Sequence, residues 1–277
     1  MGFFSKLFEK KACSICGGEI GLLGNRKLED GNCCKDCARK LSPWFEERRH
    51  STVAQIQEQL EYRAENEKKL ANFRVAQVIG DDYKMYVEEV NGVPTRFLVT
   101  DADMYMDKNP DIIAFEDVLS CTADIDTHEI ELKKEDSNGN KVSYNPPRYE
   151  TDYNFYIKMQ IGNNPYFDDI RFRLNRDTVT LETRGSTTGS FLGLSFTSAP
   201  VNVSNPREQQ RYDEYTQMCQ QIEEVVRRSR MAPQEAVPAA EPVQPEPQAA
   251  PAGPKFCPGC GAATDGGKFC QYCGTKF

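Results

Sequence analysis

Nowhere in the 277-residue chain is there a run of eighteen apolar residues, so no transmembrane helix is predicted. The opening stretch, MGFFSKLFEKKACSICG, lacks an apolar core segment and a small-residue cleavage site, so no secretory signal is expected. A reducing, cytoplasmic location is the corresponding expectation. Histidine is scarce: only His50 and His128 occur, with no H-E-x-x-H, which leaves metal-hydrolase chemistry little to use. Excess positive charge is also missing. Lys+Arg number 34 against 42 Asp+Glu, a net −8, and the pI near 5.1 is far from the value above about 9 of a generic nucleic-acid binder. No phosphate loop ending in Gly-Lys-Ser/Thr is written, and Gly189-Ser-Phe-Leu-Gly193 sets its serine one place too early for a nucleophile elbow. The segment 185–193 is therefore read as a flexible loop. The acidic pairs Asp81-Asp82 and Asp168-Asp169 fall at turn signals and are read as solvated, not as acid/base partners. The expectation is a protein that is not an enzyme.

What the chain does have is cysteine, eleven in all. Eight form four C-x-x-C pairs. Cys13/Cys16 and Cys34/Cys37 are separated by 17 residues, and Cys257/Cys260 and Cys270/Cys273 by 9. Two residues between cysteines let a tight turn aim both sulfurs at one ion. A glycine after the second cysteine (Gly17, Gly261, Gly274) allows the positive φ such a turn often needs. Two such knuckles facing each other give a tetrahedral four-thiolate site, the preferred geometry of structural zinc. The shorter gap holds one small hairpin with Asp265-Gly266-Gly267 as its turn. Two structural zinc ions are thus predicted, with Cys13, Cys16, Cys34 and Cys37 on one and Cys257, Cys260, Cys270 and Cys273 on the other. Redox dithiol chemistry is disfavoured, because no C-x-x-C lies beside a βαβ pattern. Four thiolates fill the coordination sphere, which points to a structural and not a catalytic role. Cys33 gives x3 spacing to Cys37, so it is read as an apolar filler beside the ligand Cys34. Cys121 and Cys219 are assigned to core positions, His50 to an exposed helix entry and His128 to a strand surface.

Pattern changes divide the rest. Residues 1–11 form a short amphipathic segment, with Phe3, Phe4, Leu7 and Phe8 opposite Lys6, Lys10 and Lys11. It is read as packing on the zinc module, with a membrane-surface anchor as the alternative. Residues 12–45 are the first zinc module. Residues 46–73 are a connecting helix, entered at Ser42-Pro43 or Ser51, mostly solvated, with Val53, Ile56 and Leu60 as its stripe. Residues 74–230 are a β-domain of about seven strands, separated by turns at Asn91-Gly92, Asn109-Pro110, 137–140 and 163–165 and closed by a helix over 206–230. The apolar stripe of that helix runs through Tyr212, Tyr215, Met218, Cys219, Ile222, Val225 and Val226. The Pro/Ala-rich stretch 231–254 is an extended, disordered linker, and 255–277 is the C-terminal ribbon. The fold class is α+β multidomain: two zinc-ribbon-type modules flank a mainly antiparallel domain. By segment, residues 1–45 carry +3, 46–230 −10, 231–254 −3 and 255–277 +2. Four thiolates and one Zn2+ bring each end module close to neutral, which offers nucleic-acid phosphates no tracking surface.

Cys13-Ser-Ile-Cys16-Gly-Gly, with Leu28-Glu-Asp-Gly31 and Cys34-Lys-Asp-Cys37, resembles a bacterial four-cysteine family of unknown function found at the N-terminus of multidomain proteins. Phe256-Cys257-Pro-Gly-Cys260-Gly with Phe269-Cys270-Gln-Tyr-Cys273-Gly resembles the short zinc ribbon that ends many bacterial proteins. The order of strands followed by a long helix is similar to a bacterial pleckstrin-homology-like barrel. These resemblances imply zinc binding and imply no reaction. The resulting expectation is an adaptor that recruits a protein partner. Nucleic-acid binding through the ribbons and peripheral membrane attachment are its rivals.

Overall fold

The computed structural model describes residues 11–21, 23–191, 194–231, 256–263 and 269–276. The expected amphipathic segment, apart from Lys11, lies outside these residues. So do all of the expected linker but Met231 and the ribbon turn at 265–267. The chain divides into two compact units, Met1–Ala232 and Pro233–Phe277.

The first unit opens with two minimal hairpins. β1 (Lys11–Ala12) pairs with β2 (Glu19–Ile20), and β3 (Arg26–Lys27) with β4 (Asn32–Cys33). A single helical turn, α1 (Lys35–Ala38), follows. Leu28, Cys33 and Leu41 are buried together with Ile56 of the next helix. No α-helix starts at Ser42-Pro43. The Ser42 hydroxyl instead accepts from the Trp44 amide (3.1 Å) and donates to Asp111 Oδ2 (2.7 Å), which turns the chain toward the β-domain. Ser51 is not a cap either, because its hydroxyl is held by the Glu47 carbonyl at 2.8 Å. Helix α2 (Val53–Leu70) begins at Thr52 in a reciprocal capping box with Gln55.

Residues Ile56, Gln59, Arg63, Asn66 and Leu70 form the buried face of α2. Their 3–4 spacing is that of an amphipathic stripe, but three of the five are polar. The expected stripe of Val53, Ile56 and Leu60 packs on the cysteine module, and these polar residues continue it, so that α2 runs as a spine between that module and the sheets. Its polar residues are partnered from far away in the chain. Arg63 donates to Asp111 Oδ1 (2.6 Å), to the Lys40 carbonyl (3.1 Å) and to the Asn109 carbonyl. Asn66 donates to the Pro110 carbonyl and accepts from the Ile112 amide. Gln59 is the exception, since both of its amide atoms are buried without a hydrogen-bond partner. An unpaired buried amide costs about 1–3 kcal/mol. Gln59→Leu is therefore expected to raise unfolding free energy by about 1 kcal/mol in urea titrations; a clear loss of stability would refute this reading.

The strands form two antiparallel sheets. β5 (Gln77–Ile79), β6 (Lys84–Val90), β7 (Val93–Thr100) and β8 (Ile113–Ala114) make a meander in that order. The β6–β7 turn is Asn91-Gly92, both at positive φ, as a tight primed turn requires. The second sheet is built on two long strands, β9 (Val118–Glu135) and β10 (Lys141–Ile161). One edge of β10 carries β9 along nearly its whole length. Its other edge carries β11 (Asp169–Arg173) beside its C-terminal half and β12 (Val179–Arg184) beside its middle. The segment read as a flexible loop is instead a hairpin of β13 (Thr188–Phe191) and β14 (Leu194–Thr197), and β15 (Val201–Asn202) then adds to β12. Strand candidates ending at Ile125 and beginning at His128 turn out to be one continuous β9.

The inner faces of the two sheets, with Met85, Val87, Phe97 and Val99 on one and Phe155, Ile157, Met159 and Phe172 on the other, bury a single core. Helix α3 (Pro206–Met231) adds Tyr215, Cys219, Ile222, Val225 and Val226 to it. The apolar stripe expected for this helix is the face that is buried. The barrel, however, is not closed. Among the described residues no ladder joins the two sheets, whose only ties of this kind are the Asp81, Asp82 and Tyr83 amides donating to the Leu174 and Arg173 carbonyls, and α3 packs on strands of both. Glu223 accepts from the Ala123 amide (3.0 Å), and Arg230 donates to the Val118 and Leu119 carbonyls (2.9 and 3.1 Å), so side chains of the helix satisfy the outer backbone groups of β9. Among the described residues no helix is long and apolar enough to cross a membrane.

Candidate metal centres

The two ends of the chain bring four sulfurs together twice. In the first unit Cys13, Cys16, Cys34 and Cys37 place their Sγ atoms within 4.8 Å of one another. Cys13–Cys16 is a knuckle. The Gly17 amide donates to the Cys13 carbonyl and the Cys13 amide to the Gly18 carbonyl, each at 2.8 Å, with Gly17 at φ 72°. The second pair is not a facing knuckle as the sequence implied. Cys34 is the N-cap of α1, its sulfur accepting from the Cys37 amide at 3.3 Å. The helical turn places residues three apart on the same side, which does for this pair what a turn does for the first. The Cys34 amide donates across the site to Cys13 Sγ at 3.2 Å. Gly31 is required at the close approach behind the site, because a Cβ there would meet Ser14 Oγ and Val53 Cγ2 at 2.7 Å each.

The second unit repeats one half-site. Phe256 bridges to Ala263 and Phe269 to Lys276, seven residues on in each case. Gly261 donates to the Cys257 carbonyl (2.8 Å) and Gly274 to the Cys270 carbonyl (2.9 Å), with φ of 70° and 76°. Cys257, Cys260, Cys270 and Cys273 again lie within 4.8 Å of one another. Sulfur–sulfur separations are 3.5 Å for Cys257–Cys273 and 3.6 Å for Cys260–Cys270. In the first site Cys16–Cys34 is 3.9 Å. A tetrahedral S4 site with metal–sulfur bonds of about 2.3 Å has edges of about 3.8 Å, so both tetrads have the size of a metal-binding tetrahedron.

Electrostatics favour thiolate at defined sulfurs. Burial raises the Cys13 thiol, but backbone amides of Cys16, Cys34 and Ile15 outweigh it and bring it down to about 6. Burial and the neighbouring sulfurs push Cys37 upward, so in a metal-free tetrad the first negative charge rests on Cys13. In the second site the Thr275 hydroxyl, 3.1 Å from Cys273 Sγ, and the Thr275 amide hold Cys273 at about 6. The Ala262 amide lowers Cys260, yet its neighbours Cys273 and Cys270 prevail and push it up to about 12. A divalent cation removes this competition by stabilising all four thiolates together.

All eight cysteines singled out from spacing fall in these two groups, and the other three do not. Cys33 is fully buried, bonds to the Cys34 carbonyl at 3.4 Å, and is raised to about 11 chiefly by burial. Cys121 and Cys219 lie in or against the sandwich core. His50 and His128 are exposed, at the end of a 3-10 turn and on β9. Sequence reading missed the helical half of the first site and the Arg63–Asp111–Ser42 network behind it. The only available signal was the phase of Arg63 and Asn66, in line with Ile56 and Leu70.

In the second unit Phe256 and Phe269, equivalent in the repeat, and Tyr272 are exposed. Residues 11–59 match a family described as a domain of unknown function, DUF4428. That match covers both halves of the first site and the first turns of α2. No curated protein and no solved structure matches the chain.

Proposed function

We propose that this protein is a non-enzymatic zinc-binding adaptor, with two structural zinc sites and a C-terminal module that engages a protein partner. The observation that carries the reading is the pair of four-sulfur tetrads of tetrahedral dimensions. Soft thiolate donors select zinc or iron among common intracellular metals. Zinc is favoured because four cysteines in knuckle-type turns are its usual structural set. A filled sphere has no position for substrate. Exposed Phe256, Phe269 and Tyr272 support a recruiting role, since aromatics anchor protein interfaces. The central domain fits the pleckstrin-homology-like reading in element order, with α3 in place of the closing ladder. Net charge disfavours nucleic acid as the partner, and a cytoplasmic location suits eight thiolates kept reduced.

Elemental analysis of protein purified without added metal, with a thiol titration, tests the metal half. Two zincs per chain and three titratable thiols are expected. Cys33→Ala should keep both zincs and lose only packing, about 1 kcal/mol. Iron, a single metal, or loss of zinc in Cys33→Ala would overturn the assignment.

A further inference from the structure

The first unit contains a cleft that neither the N-terminal module nor the sandwich forms alone. It lies between the turn after α1 and the far end of β7, and encloses about 260 Å3. That is slightly below the usual 300–1,000 Å3 of ligand pockets, which sets the scale at one ring with a polar substituent. Leu41 and Val99, both buried, belong to its apolar lining together with Pro43 and Pro110, and Arg39, Tyr83, Thr100 and Lys108 belong to its polar lining.

The polar groups are nearly all donors. Asp101 is the single acid in the lining, and both its oxygens are taken by Lys108 Nζ at 2.9 and 3.0 Å. Ser42 also lines the cleft, but it is committed to Asp111 and to the Trp44 amide. Thr100 Oγ1 accepts from the Ala102 amide at 3.1 Å, so its proton is left to donate. Burial, then Asp101 and Asp82, raise the Tyr83 phenol, which stays a donor at neutral pH. Arg39 has one ion pair, to Asp36 at 3.5 Å, with both side chains largely in water. Such a pair holds a guanidinium weakly. Arg39, the phenol, the hydroxyl and the remaining Lys108 proton donate over an apolar floor, and the one carboxylate is already charge-paired, which suits an anion with an apolar body.

We propose that this cleft binds a small organic anion with an apolar body, of the aryl-carboxylate class. The carboxylate meets Arg39 and the Lys108 side of the rim, and the ring lies against Leu41 and Val99. Because the walls come from both the metal-supported module and the sheet, occupancy would tie the two together.

The test uses the full-length protein as purified, titrated with benzoate and with its neutral isostere benzamide, and read by amide chemical shifts. Benzoate is expected to move the resonances of Leu41, Thr100 and Asp101 saturably, with Kd of about 1 mM or tighter. Benzamide should bind at least about tenfold more weakly, the worth of one charge-assisted contact. Arg39→Gln with Lys108→Gln should weaken benzoate by about tenfold or more while leaving other resonances in place. If that pair disturbs the fold, Tyr83→Phe takes over, with an expected loss of about threefold. No saturable shift, equal binding of benzamide, or undiminished binding in the folded variants would each overturn the proposal.

Discussion

Stripping the metal with a strong chelator is expected to unfold the C-terminal module completely and to leave the sandwich folded. The reason is the size of what each part buries. Among the described residues of the second unit only Cys257 and Cys270 are buried, and both belong to the sulfur tetrad. The aromatic residues that might have formed a core, Phe256, Phe269 and Tyr272, are 64%, 56% and 79% exposed. Among those described residues no apolar core opposes the chain entropy, so a bound metal is expected to supply the folding energy. Structural zinc in such peptides supplies about 10–16 kcal/mol at neutral pH. The sandwich has a core of more than twenty buried residues, none of them in a sulfur tetrad. The N-terminal module should be intermediate. It has Leu28, Leu41 and Ile56 beneath the site and is held to α2 by Val53 N–H on Asp30. Amide spectra before and after chelation check this directly. Resonances of 256–276 should collapse to random-coil positions, those of 11–40 should broaden or shift, and those of β6, β7 and β10 should stay. A C-terminal module that kept its dispersed shifts without metal would refute the account. Cys273→Ser, which leaves three thiolates, should act on that module alone.

Arg63→Ala is expected to cost about 3–5 kcal/mol of unfolding free energy, as much as truncating a large core side chain. The Arg63 and Asp111 side chains are 4% and 0% exposed and 2.6 Å apart. Burial pushes the Asp111 carboxyl above its ordinary value, while Arg63 and the Ser42 hydroxyl pull it back. Removing the guanidinium leaves that carboxyl buried without its counter-charge. It also frees the Lys40 and Asn109 carbonyls that Arg63 holds. Asp111→Ala should be as severe, since it strands Arg63. The double change Arg63→Met with Asp111→Leu should cost clearly less than either truncation, because no unpaired charge remains. Trp44, the only tryptophan, packs against the core near Tyr83 at a ring distance of 6.4 Å. Its fluorescence reports urea unfolding at this junction. A loss below about 1 kcal/mol for Arg63→Ala would mean that the pair is not what holds the module on the sheets.

Both predictions bear on one division of labour. Eight sulfurs were legible because metal ligation is short-range chemistry. Two residues between cysteines and a following glycine specify the knuckle geometry almost by themselves, and this holds for Cys13/Cys16, Cys257/Cys260 and Cys270/Cys273. The pair Cys34/Cys37 joins its tetrad for a different geometric reason, because a helical turn and a knuckle share the same spacing. Helix α3 was legible from its Tyr215–Val226 stripe, since an apolar face has only one place to go.

Three features were decided elsewhere. Helix α2 buries Arg63 and Asn66, whose partners lie more than twenty residues away, and nothing local distinguishes a polar stripe that finds such partners from one that faces water. The hairpin of β13 and β14 hid within a Gly/Ser/Thr-rich run, where turn residues outweigh strand propensity. The open sandwich replaced a closed barrel because β10 spends both of its edges on β9, β11 and β12, and α3 side chains take up backbone groups of β9 that a further strand would have used. The sequence alone thus determined the sulfur tetrads and the long closing helix, whose causes lie within a few residues of each other. Tertiary structure alone decided strand pairing, the burial of α2 and the junction cleft, because each depends on which distant group supplies a hydrogen bond or a charge.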